Sequence, residues 1–258
     1  MGDREVRRAS TVCLVRDNDG VEVLMVQRPH TARFMPSVWV FPGGAVDAQD
    51  ADPPTQFGKD PDDWAVAAAR ELIEETGIWL TDTGPVEFPV TDDPFGDVER
   101  SGRRIDLDGL VYFSNWITPS VFPIRFDTRF FLAVADDTVT GTVDGDELVD
   151  LAWIRPGDAL DRERDGRWEV AFPTRETLRV LASASSAAEL ASRLRSVAAV
   201  PPVEPRLYVS DDEARILMPG DPGFDAAGPA QEDPTILDRL AAVVAKGARV
   251  PAEFRSRS

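Results

Sequence analysis

The sequence predicts a mixed α/β fold with a C-terminal extension, and three features of the chain predict it. Alternating, β-rich runs separated by turn sequences dominate the first part of the chain. One capped helix with an apolar face interrupts them between Asp60 and Gly77. After Trp153 the pattern changes to helices and then to proline- and glycine-rich stretches. We therefore assign a sheet-containing domain to residues 1–160 and a helical and irregular extension to residues 161–258.

The first strands follow from short alternating runs. STVCLVR and VEVLMVQR are joined by the turn sequence DNDG, which predicts a hairpin. VWVF, ending at Phe41, predicts a third strand that stops at Pro42-Gly43-Gly44, because proline removes a ladder donor and glycine permits positive φ and close backbone approach. Later strands are predicted at GLVYFSNWI, RFFLAVA and ELVDLAWI, with a weaker candidate from Val86 to Val90.

The capped helix follows a polar, proline-bearing loop at Asp47–Lys59. Asp60 has the side chain of an N-cap, and Pro61 suits the first helical position. Gly77 is a typical stop, so the helix is expected over residues 61–76.

The extension is predicted to begin with helices and to become irregular. The helical segments are PGDAL near residues 156–162, PTRETLRVLAS from Pro173, and SSAAELASRLRSVAA from Ser185, where Ser186 and Glu189 have capping-box spacing. Residues 201–234 are rich in proline, glycine and aspartate, and predict irregular structure despite the apolar pieces RLYV and RILMP. A short helix is expected from Asp233 to about Ala245. The helical pair could form an added layer or a dimer surface, and the extension could cap a substrate pocket.

The composition excludes several classes of protein. The net charge of −18, from 46 acidic and 28 basic residues, argues against a broad surface for nucleic acid or anionic lipid. No apolar run is long enough for a membrane span, and the first residues lack the apolar segment of a secretory signal. The single Cys13 fits a reducing, cytoplasmic location, and the single His30 excludes sites that need two histidines.

Three carboxylates on the predicted helix form the candidate centre for chemistry. Glu71, Glu74 and Glu75 stand at helical positions i, i+3 and i+4, hence on one face. Oxygen ligands without histidine or cysteine favour Mg²⁺ or Mn²⁺, and a cation would let an acidic protein meet a phosphate substrate. The alternative is that these residues only cover a solvent-facing helix.

The segment RELIEETGI matches every fixed position of the Nudix pattern R-E-U-x-E-E-x-G-U, and it lies downstream of a strand ending in FPGG. The chain therefore resembles the Nudix hydrolases over roughly its first 160 residues. This resemblance implies an α/β/α sandwich around a mixed β-sheet and a metal-dependent hydrolase that cleaves diphosphate linkages. It also implies that Glu74 and Glu75 bind the metal, that Glu71 binds metal and orients or deprotonates the attacking water, that Arg70 positions Glu71, and that Gly44 contributes its carbonyl.

The connection between these motifs is longer than the family pattern. The usual spacing is G-x5-E-x7-R, whereas Gly44 and Arg70 are 26 positions apart. Asp50 stands where the first glutamate is expected, and residues 47–60 form an insertion that could shape the substrate site. Long surface insertions cost little stability, so the helix can still dock.

The segment LMVQRPHTARFMPSVWVFPGG also resembles the coenzyme A diphosphatase branch of the family, although Ser37 and Trp39 replace an expected glycine and valine. The inserted box and ITPSVFPIRFDTRFFLAV resemble the mammalian Nudix type 19 branch, which implies coenzyme A or acyl-coenzyme A as a substrate. Arg28 and Arg33 are candidate phosphate-binding residues because a guanidinium binds phosphate through paired hydrogen bonds. They could equally be surface residues or partners of carboxylates.

Three further groups of residues lie outside the predicted helix and the FPGG motif. Arg125 and Arg129 share a strand face with Asp127, so structural pairing is favoured over substrate contact. Phe126, Phe130 and Phe131 are expected in the core rather than stacked on a base. The segment GDELVDLAWI resembles the family segment that carries a further acidic residue, which makes Glu147 a candidate base or metal ligand, with Asp146 the next choice.

The sequence therefore predicts a hydrolase that uses Mg²⁺ or Mn²⁺ and acts on a small diphosphate substrate. We expect it to bind neither nucleic acid nor membrane, and a homodimer is possible. Two alternatives remain. One is a different Nudix substrate, such as ADP-ribose, NADH or another nucleotide, and the other is a ligand-binding Nudix module without turnover. The acidic helix argues against the second.

Overall fold

The computed structural model describes residues 5–32, 35–120, 122, 124–210, 213–225, 227, 236 and 239–240. The strands in these residues are β1 Val6–Asp17, β2 Val21–Gln27, β3 Val38–Val40, β4 Gly43–Ala45, β5 Ile78–Thr81, β6 Gly84–Glu87, β7 Val111–Ile117, β8 Arg125–Val134, β9 Asp150–Ile154, β10 Glu169–Val170, β11 Arg206–Val209 and β12 Ala214–Leu217. The α-helices are α1 Asp63–Thr76, α2 Pro94–Ser101, α3 Pro156–Arg164, α4 Phe172–Leu181 and α5 Ala187–Arg195.

A mixed sheet forms the centre of the described chain. Its order is β10-β3-β2-β1-β8-β7, with β4 paired to β1 and β9 paired to β2. The long strand β1 pairs in parallel with β8, and antiparallel with β2 at one end and β4 at the other. The predicted hairpin and the predicted mixed α/β fold are therefore confirmed.

Helices cover both faces of this sheet. Along β1 the side chains alternate, so Val12 and Leu14 pack with α1 whereas Cys13 and Val15 pack with α4 and α5. Leu178 of α4 and Leu190 of α5 are fully buried in that second core. Truncating one such leucine typically costs about 2–5 kcal/mol. The three helices that open the extension are confirmed, and Ser186 caps α5 by accepting a hydrogen bond from the Glu189 N–H at 3.1 Å.

The start of α1 differs from the prediction. Asp62 is the N-cap, because its Oδ1 accepts a hydrogen bond from the Trp64 N–H at 3.1 Å. Asp60 has a φ of 51°, so it and Pro61 lie in the preceding turn and the prediction of Asp60 as N-cap is wrong. The stop is confirmed, since Gly77 has a left-handed φ of 67°.

Several elements were missed or shifted. The inserted loop contains two short 3-10 helices, Ala48–Ala51 and Thr55–Phe57. The pair β5 and β6 begins directly after Gly77, and its second strand lies earlier than the candidate at Val86 to Val90. Helix α2 was not predicted.

The prediction of irregular structure over residues 201–234 is wrong where β11 pairs antiparallel with β12. These strands are RLYV, in which apolar and polar side chains alternate, and ARIL, and their buried side chains are Leu207, Val209, Ala214 and Leu217. Of the helix expected from Asp233 to about Ala245, only residues 236 and 239–240 are described, and these are helical. The remainder of that segment lies outside the described residues.

None of the helices in the described part of the chain has the length and apolar character needed to span a lipid bilayer.

Candidate active site

Arg70 is the central side chain of the candidate site. It projects from α1, is 2% exposed, and binds both carboxylate oxygens of Asp50 at 2.8 and 3.0 Å. Its Nη2 also donates to the Ala45 carbonyl at 2.8 Å. A single buried guanidinium therefore joins α1, the edge strand β4 and the inserted loop.

The loop presents Asp50 through a short turn. Asp50 is the third residue of the 3-10 helix at Ala48–Ala51 and is completely buried. Its Oδ2 also accepts a hydrogen bond from the Asp47 N–H at 2.7 Å. A residue identified by spacing alone is thus the buried partner of Arg70, despite the insertion between the two motifs.

The remaining guanidinium nitrogen of Arg70 orients two of the helix glutamates. Nη1 donates to Glu71 Oε1 at 2.9 Å and to Glu74 Oε2 at 2.7 Å. Burial alone would favour the neutral guanidine, but the hydrogen bond to Asp50 and the surrounding carboxylates raise the pKa of Arg70 above its ordinary value. Arg70 is a permanent cation that holds the carboxylates in place.

The two glycines after β3 bring the backbone against the glutamates. The Gly43 N–H donates to Glu75 Oε2 at 2.8 Å. A Cβ on Gly44 would lie 2.4 Å from Glu71 Oε1, and a Cβ on Gly43 would lie 2.3 Å from the Ser10 carbonyl oxygen. Gly43 also has a φ of 154°, so its backbone conformation and the nearby strand both require glycine, whereas a side chain at Gly44 would displace the Glu71 carboxylate.

Negative charge is concentrated on this face of α1. Desolvation, opposed by Arg70 and reinforced by Glu74, raises the pKa of Glu71 to about 7. Desolvation and the neighbouring Glu71 raise the pKa of Glu75 well above its ordinary value, and desolvation also raises the pKa of Glu74. Such half-buried carboxylates favour a proton or a metal cation.

Two residues from other elements adjoin the helix carboxylates. Glu147 lies in an exposed turn where Asp144 Oδ1 accepts its N–H at 3.1 Å, and its negative charge contributes to the raised pKa values of Glu74 and Glu75. The positive charge of Arg28 partly opposes the rise in the pKa of Glu75. Glu147 and Arg28 are therefore within electrostatic range of the cluster.

The other predicted residues have different positions. Asp146 lies in the same turn as Glu147 and donates its N–H to Asp144 at 3.0 Å. Arg33, the second predicted phosphate-binding residue, lies outside the described residues.

The paired residues on β8 have mainly structural contacts. Arg125 forms an ion pair with Glu204 at 2.8 Å, and Arg129 contacts Asp62 at 3.2 Å and stacks over Trp64. The interpretation of both arginines as structural partners is confirmed.

The aromatic residues of the same strand divide between core and cavity. Phe130 and Phe131 are buried core residues, as predicted. Phe126 is half-buried and lines a cavity, which Phe130 also borders.

This cavity of about 220 Å³ lies on the sheet face opposite α1. Gly43 and Arg28 border it, so the same glycine that donates to Glu75 also touches the cavity. Most of the remaining lining is apolar, and it includes Met35, Phe41, Trp116, Phe122, Phe126, Phe130, Phe172 and Ile216. Gly43 therefore links the cavity to the carboxylate cluster, although none of the glutamates lines the cavity.

Most of the apolar residues that line the cavity were not predicted as site residues from the sequence. Trp116 was recognised only as part of a strand, and Phe172 and Ile216 lie in the segment assigned to the extension. Strand alternation marks such residues as buried, but it does not distinguish a core wall from a cavity wall.

The donor atoms fit a hard divalent cation, although no group of three metal-binding side chains in the described residues is already converged for one. Glu71 and Glu74 both bind Arg70, and Glu75 binds the Gly43 N–H. All are oxygen donors, and their clustered negative charge is the kind that Mg²⁺ or Mn²⁺ stabilises.

Comparison with known proteins gives three findings. A family model described as NUDIX domain matches residues 6–172. The putative nudix hydrolase 7 of Caenorhabditis elegans is 34% identical over 161 residues, which are 58% of this chain and 52% of that protein. The acyl-coenzyme A diphosphatase NUDT19 of Gallus gallus is 27% identical over 210 residues, with 55% of this chain and 56% of that protein covered. The chain thus spans about half the length of the curated relatives it matches.

A solved structure also has a similar fold. The crystal structure of the NUDIX hydrolase from Alicyclobacillus acidocaldarius superimposes with a TM-score of 0.64 and 30% sequence identity. The match covers 74% of this chain and 97% of that one. The expected fold, a mixed sheet between helices, is therefore confirmed by an independent structure.

Proposed function

Because the chain belongs to the NUDIX domain family, we propose that it is a hydrolase that cleaves a diphosphate linkage in a small, nucleotide-derived molecule. The observation that carries this proposal is the assembly around Arg70. One buried cation holds Glu71 and Glu74, while the Gly43 N–H holds Glu75 beside a cavity. This arrangement supports a role for the three carboxylates as metal ligands and for one of them as the water-activating group.

A divalent cation, Mg²⁺ or Mn²⁺, would be held by Glu71, Glu74 and Glu75 with the Gly44 carbonyl. When bound, such an ion neutralises phosphoryl oxygens and lowers the pKa of a coordinated water. The half-buried carboxylates and the close approach of Gly44 to Glu71 support this assignment. Arg70 would compete for the same oxygens, so it sets how firmly Glu71 and Glu74 are held.

Side chains of the protein would position the reacting groups and transfer protons. Glu71 takes a proton from the attacking water, and Arg70 keeps its carboxylate in one orientation. Glu147, whose charge acts on Glu74 and Glu75, is the second acidic group that holds metal or accepts a proton in this proposal. The reaction adds water across the phosphorus–oxygen bond of the anhydride, so one product phosphate gains the hydroxyl and the other departs as the leaving group.

Coenzyme A or acyl-coenzyme A is the substrate that we favour. A relative with 27% identity carries the name acyl-coenzyme A diphosphatase, and the segment around Arg28 resembles that branch. The apolar cavity of about 220 Å³ is smaller than the roughly 300–1,000 Å³ typical of whole-ligand pockets, so it suits one apolar part of a substrate. Arg28 at its border supplies a cation for phosphate.

Product analysis by mass spectrometry tests this proposal. Wild type, Glu74→Gln and the exposed control Glu99→Gln are incubated with acyl-coenzyme A, coenzyme A, ADP-ribose, NADH and nucleotides, with Mg²⁺ or with EDTA. We expect cleavage of a diphosphate by wild type and Glu99→Gln with Mg²⁺ only, and none by Glu74→Gln. The products identify the substrate and the cleaved bond.

Other outcomes separate the alternatives. Cleavage of ADP-ribose or NADH alone would contradict coenzyme A while retaining the hydrolase. Binding of one compound without any turnover would favour a ligand-binding module, and equal activity in Glu74→Gln would contradict the assigned site. A cytoplasmic location and a homodimer remain predictions from the sequence.

A further inference from the structure

The walls of the apolar cavity come from two parts of the chain. Residues within the family match, among them Phe126 and Phe130, form the side nearest the sheet. Pro173, Thr174, Pro205 and Ile216 come after that match and also border the cavity. The later part of the chain therefore contributes directly to the space beside Gly43.

The segment that carries Pro205 is hydrogen-bonded to the central sheet. The Ile117 N–H donates to the Val203 carbonyl at 2.8 Å, and the Val203 N–H donates to the Asn115 carbonyl at 2.9 Å. This pairing continues the sheet beyond β7, one residue on either side of Trp116. The segment is therefore a bonded component of the cavity wall.

An ion pair fixes the same segment from the neighbouring strand. Arg125 is 7% exposed, and it donates to Glu204 at 2.8 Å and to the Thr118 carbonyl at 2.9 Å. Because Glu204 directly precedes Pro205, this contact fixes the position at which the chain enters the cavity wall.

The β11–β12 hairpin extends this wall. Leu207 pairs with Ile216 across the hairpin, so both side chains lie on the same face, and Leu207 is 1% exposed. Ile216 is half-buried and packs against the core that contains Trp116. Arg215 points to the opposite, exposed face and contacts Tyr208.

We propose that Pro205 and Ile216 form a selective wall of the substrate site, and that Ile216 determines the size of the apolar group the site accepts. This inference rests on the proposed function for its catalytic readout. Arg28 and Ile216 border the same cavity, so in this proposal a substrate with its apolar group against Ile216 presents its phosphates to Arg28. One methylene in an apolar pocket changes selectivity by roughly 10- to 200-fold, so a change of this side chain has a measurable effect.

The test changes the volume of Ile216 in the full chain. Ile216→Ala enlarges the cavity and Ile216→Phe reduces it, while Arg215→Ala alters the adjacent residue on the opposite face. Each protein is titrated by calorimetry with straight-chain fatty acids of four to twelve carbons, and kcat/KM is measured for acetyl-, hexanoyl- and dodecanoyl-coenzyme A. Circular dichroism and the unfolding midpoint show whether each variant is folded.

We expect Ile216→Ala to shift the preferred chain length upward and Ile216→Phe to weaken binding of the longer chains at least roughly 10-fold, with Arg215→Ala unchanged. Folded Ile216 variants with the wild-type chain-length profile would overturn the proposal, as would a wild type that binds none of the fatty acids. If Ile216→Phe does not fold, Ile216→Ala and Ile216→Val still decide the point. Altered fatty-acid binding without cleavage of any coenzyme A thioester would support the wall and reject the proposed substrate.

Discussion

Arg70 and its contacts decide how the candidate site is built at the scale of single residues. The three glutamates were predicted from the helix pattern, because helical spacing places them on one face, whereas Arg70 was predicted from the resemblance of RELIEETGI to the family pattern. The role of Asp50 was not predictable with the same security, since the long insertion separates it from the helix. Only the fold shows that the insertion returns Asp50 to Arg70, at 2.8 and 3.0 Å.

Asp50→Asn is expected to destabilise the protein by about 3 kcal/mol, because it removes the charge from the buried partner of Arg70. The free energy of unfolding in urea measures this effect. Asp19→Asn is the matched control, since Asp19 pairs with Arg155 at 2.9 Å but its side chain is 98% exposed. We expect the control to leave the unfolding midpoint unchanged. Equal effects of the two substitutions would contradict a central role for the buried pair.

Gly44→Ala is expected to lower kcat/KM about 100-fold while changing stability little. The new Cβ would meet the end of the flexible Glu71 side chain at 2.4 Å, so the carboxylate moves rather than the backbone. Gly157→Ala is the control, because a Cβ there meets nothing within 4 Å. Wild-type kinetics in Gly44→Ala would show that Glu71 does not need its observed position.

At the scale of elements, local sequence signals predicted which helices and strands exist better than they predicted the residues at which each begins and ends. The turn DNDG and the alternating runs predicted the β1–β2 hairpin, and Gly77 predicted the end of α1. The N-cap was misplaced by two residues because three aspartates, Asp60, Asp62 and Asp63, all suit a helix start. Only the backbone conformation separates them, since Asp60 has a positive φ.

The hairpin of β11 and β12 was missed because proline and glycine dominate the surrounding composition. Each strand has only four residues, and the adjacent Ile216 and Leu217 break the alternation of the second strand, so the local signal is weak. Burial of Leu207 and Ile216 against the rest of the molecule stabilises the pair, and this tertiary contribution is invisible in a short window of sequence.

Gly77→Ala and Gly102→Ala together test the helix ends. Both glycines are left-handed caps, with φ of 67° and 66°, so alanine costs about 1–2 kcal/mol at either position. At Gly77 a Cβ would also lie 2.0 Å from the Phe88 carbonyl oxygen, whereas at Gly102 it meets nothing within 4 Å. We expect roughly twice the loss of unfolding free energy for Gly77→Ala. A larger loss for Gly102→Ala would contradict this account of the α1–β5 connection.

At the scale of the whole molecule, the extension and the sheet share a core. Helices α4 and α5 bury Leu178 and Leu190 against the face of β1 that carries Cys13. The boundary predicted at residue 160, between the sheet-containing domain and the extension, stays a prediction. The shared core explains why composition is a poor guide to a domain boundary at this position. A helix that covers a sheet face is amphipathic in the same way whether it belongs to a domain or is added to it.

Glu204→Gln is expected to loosen the connection between the later chain and the sheet. The substitution leaves the buried Arg125 without its charged partner, so the Val203 and Ile117 amides exchange hydrogen at least several-fold faster. Hydrogen exchange read by mass spectrometry measures this, with Glu213→Gln, an exposed residue of the same segment, as the control. Unchanged exchange in Glu204→Gln would show that the backbone pairing alone holds the segment.

The central claim is that the carboxylates of α1 hold the cation on which hydrolysis depends. Mn²⁺ titration followed by electron paramagnetic resonance, paired with turnover of the substrate identified by product analysis, tests it in wild type, Glu74→Gln and Glu99→Gln. We expect Glu74→Gln to bind Mn²⁺ at least roughly 10-fold more weakly and to lose turnover, while Glu99→Gln matches wild type. Undiminished Mn²⁺ binding together with undiminished turnover in Glu74→Gln would contradict the claim.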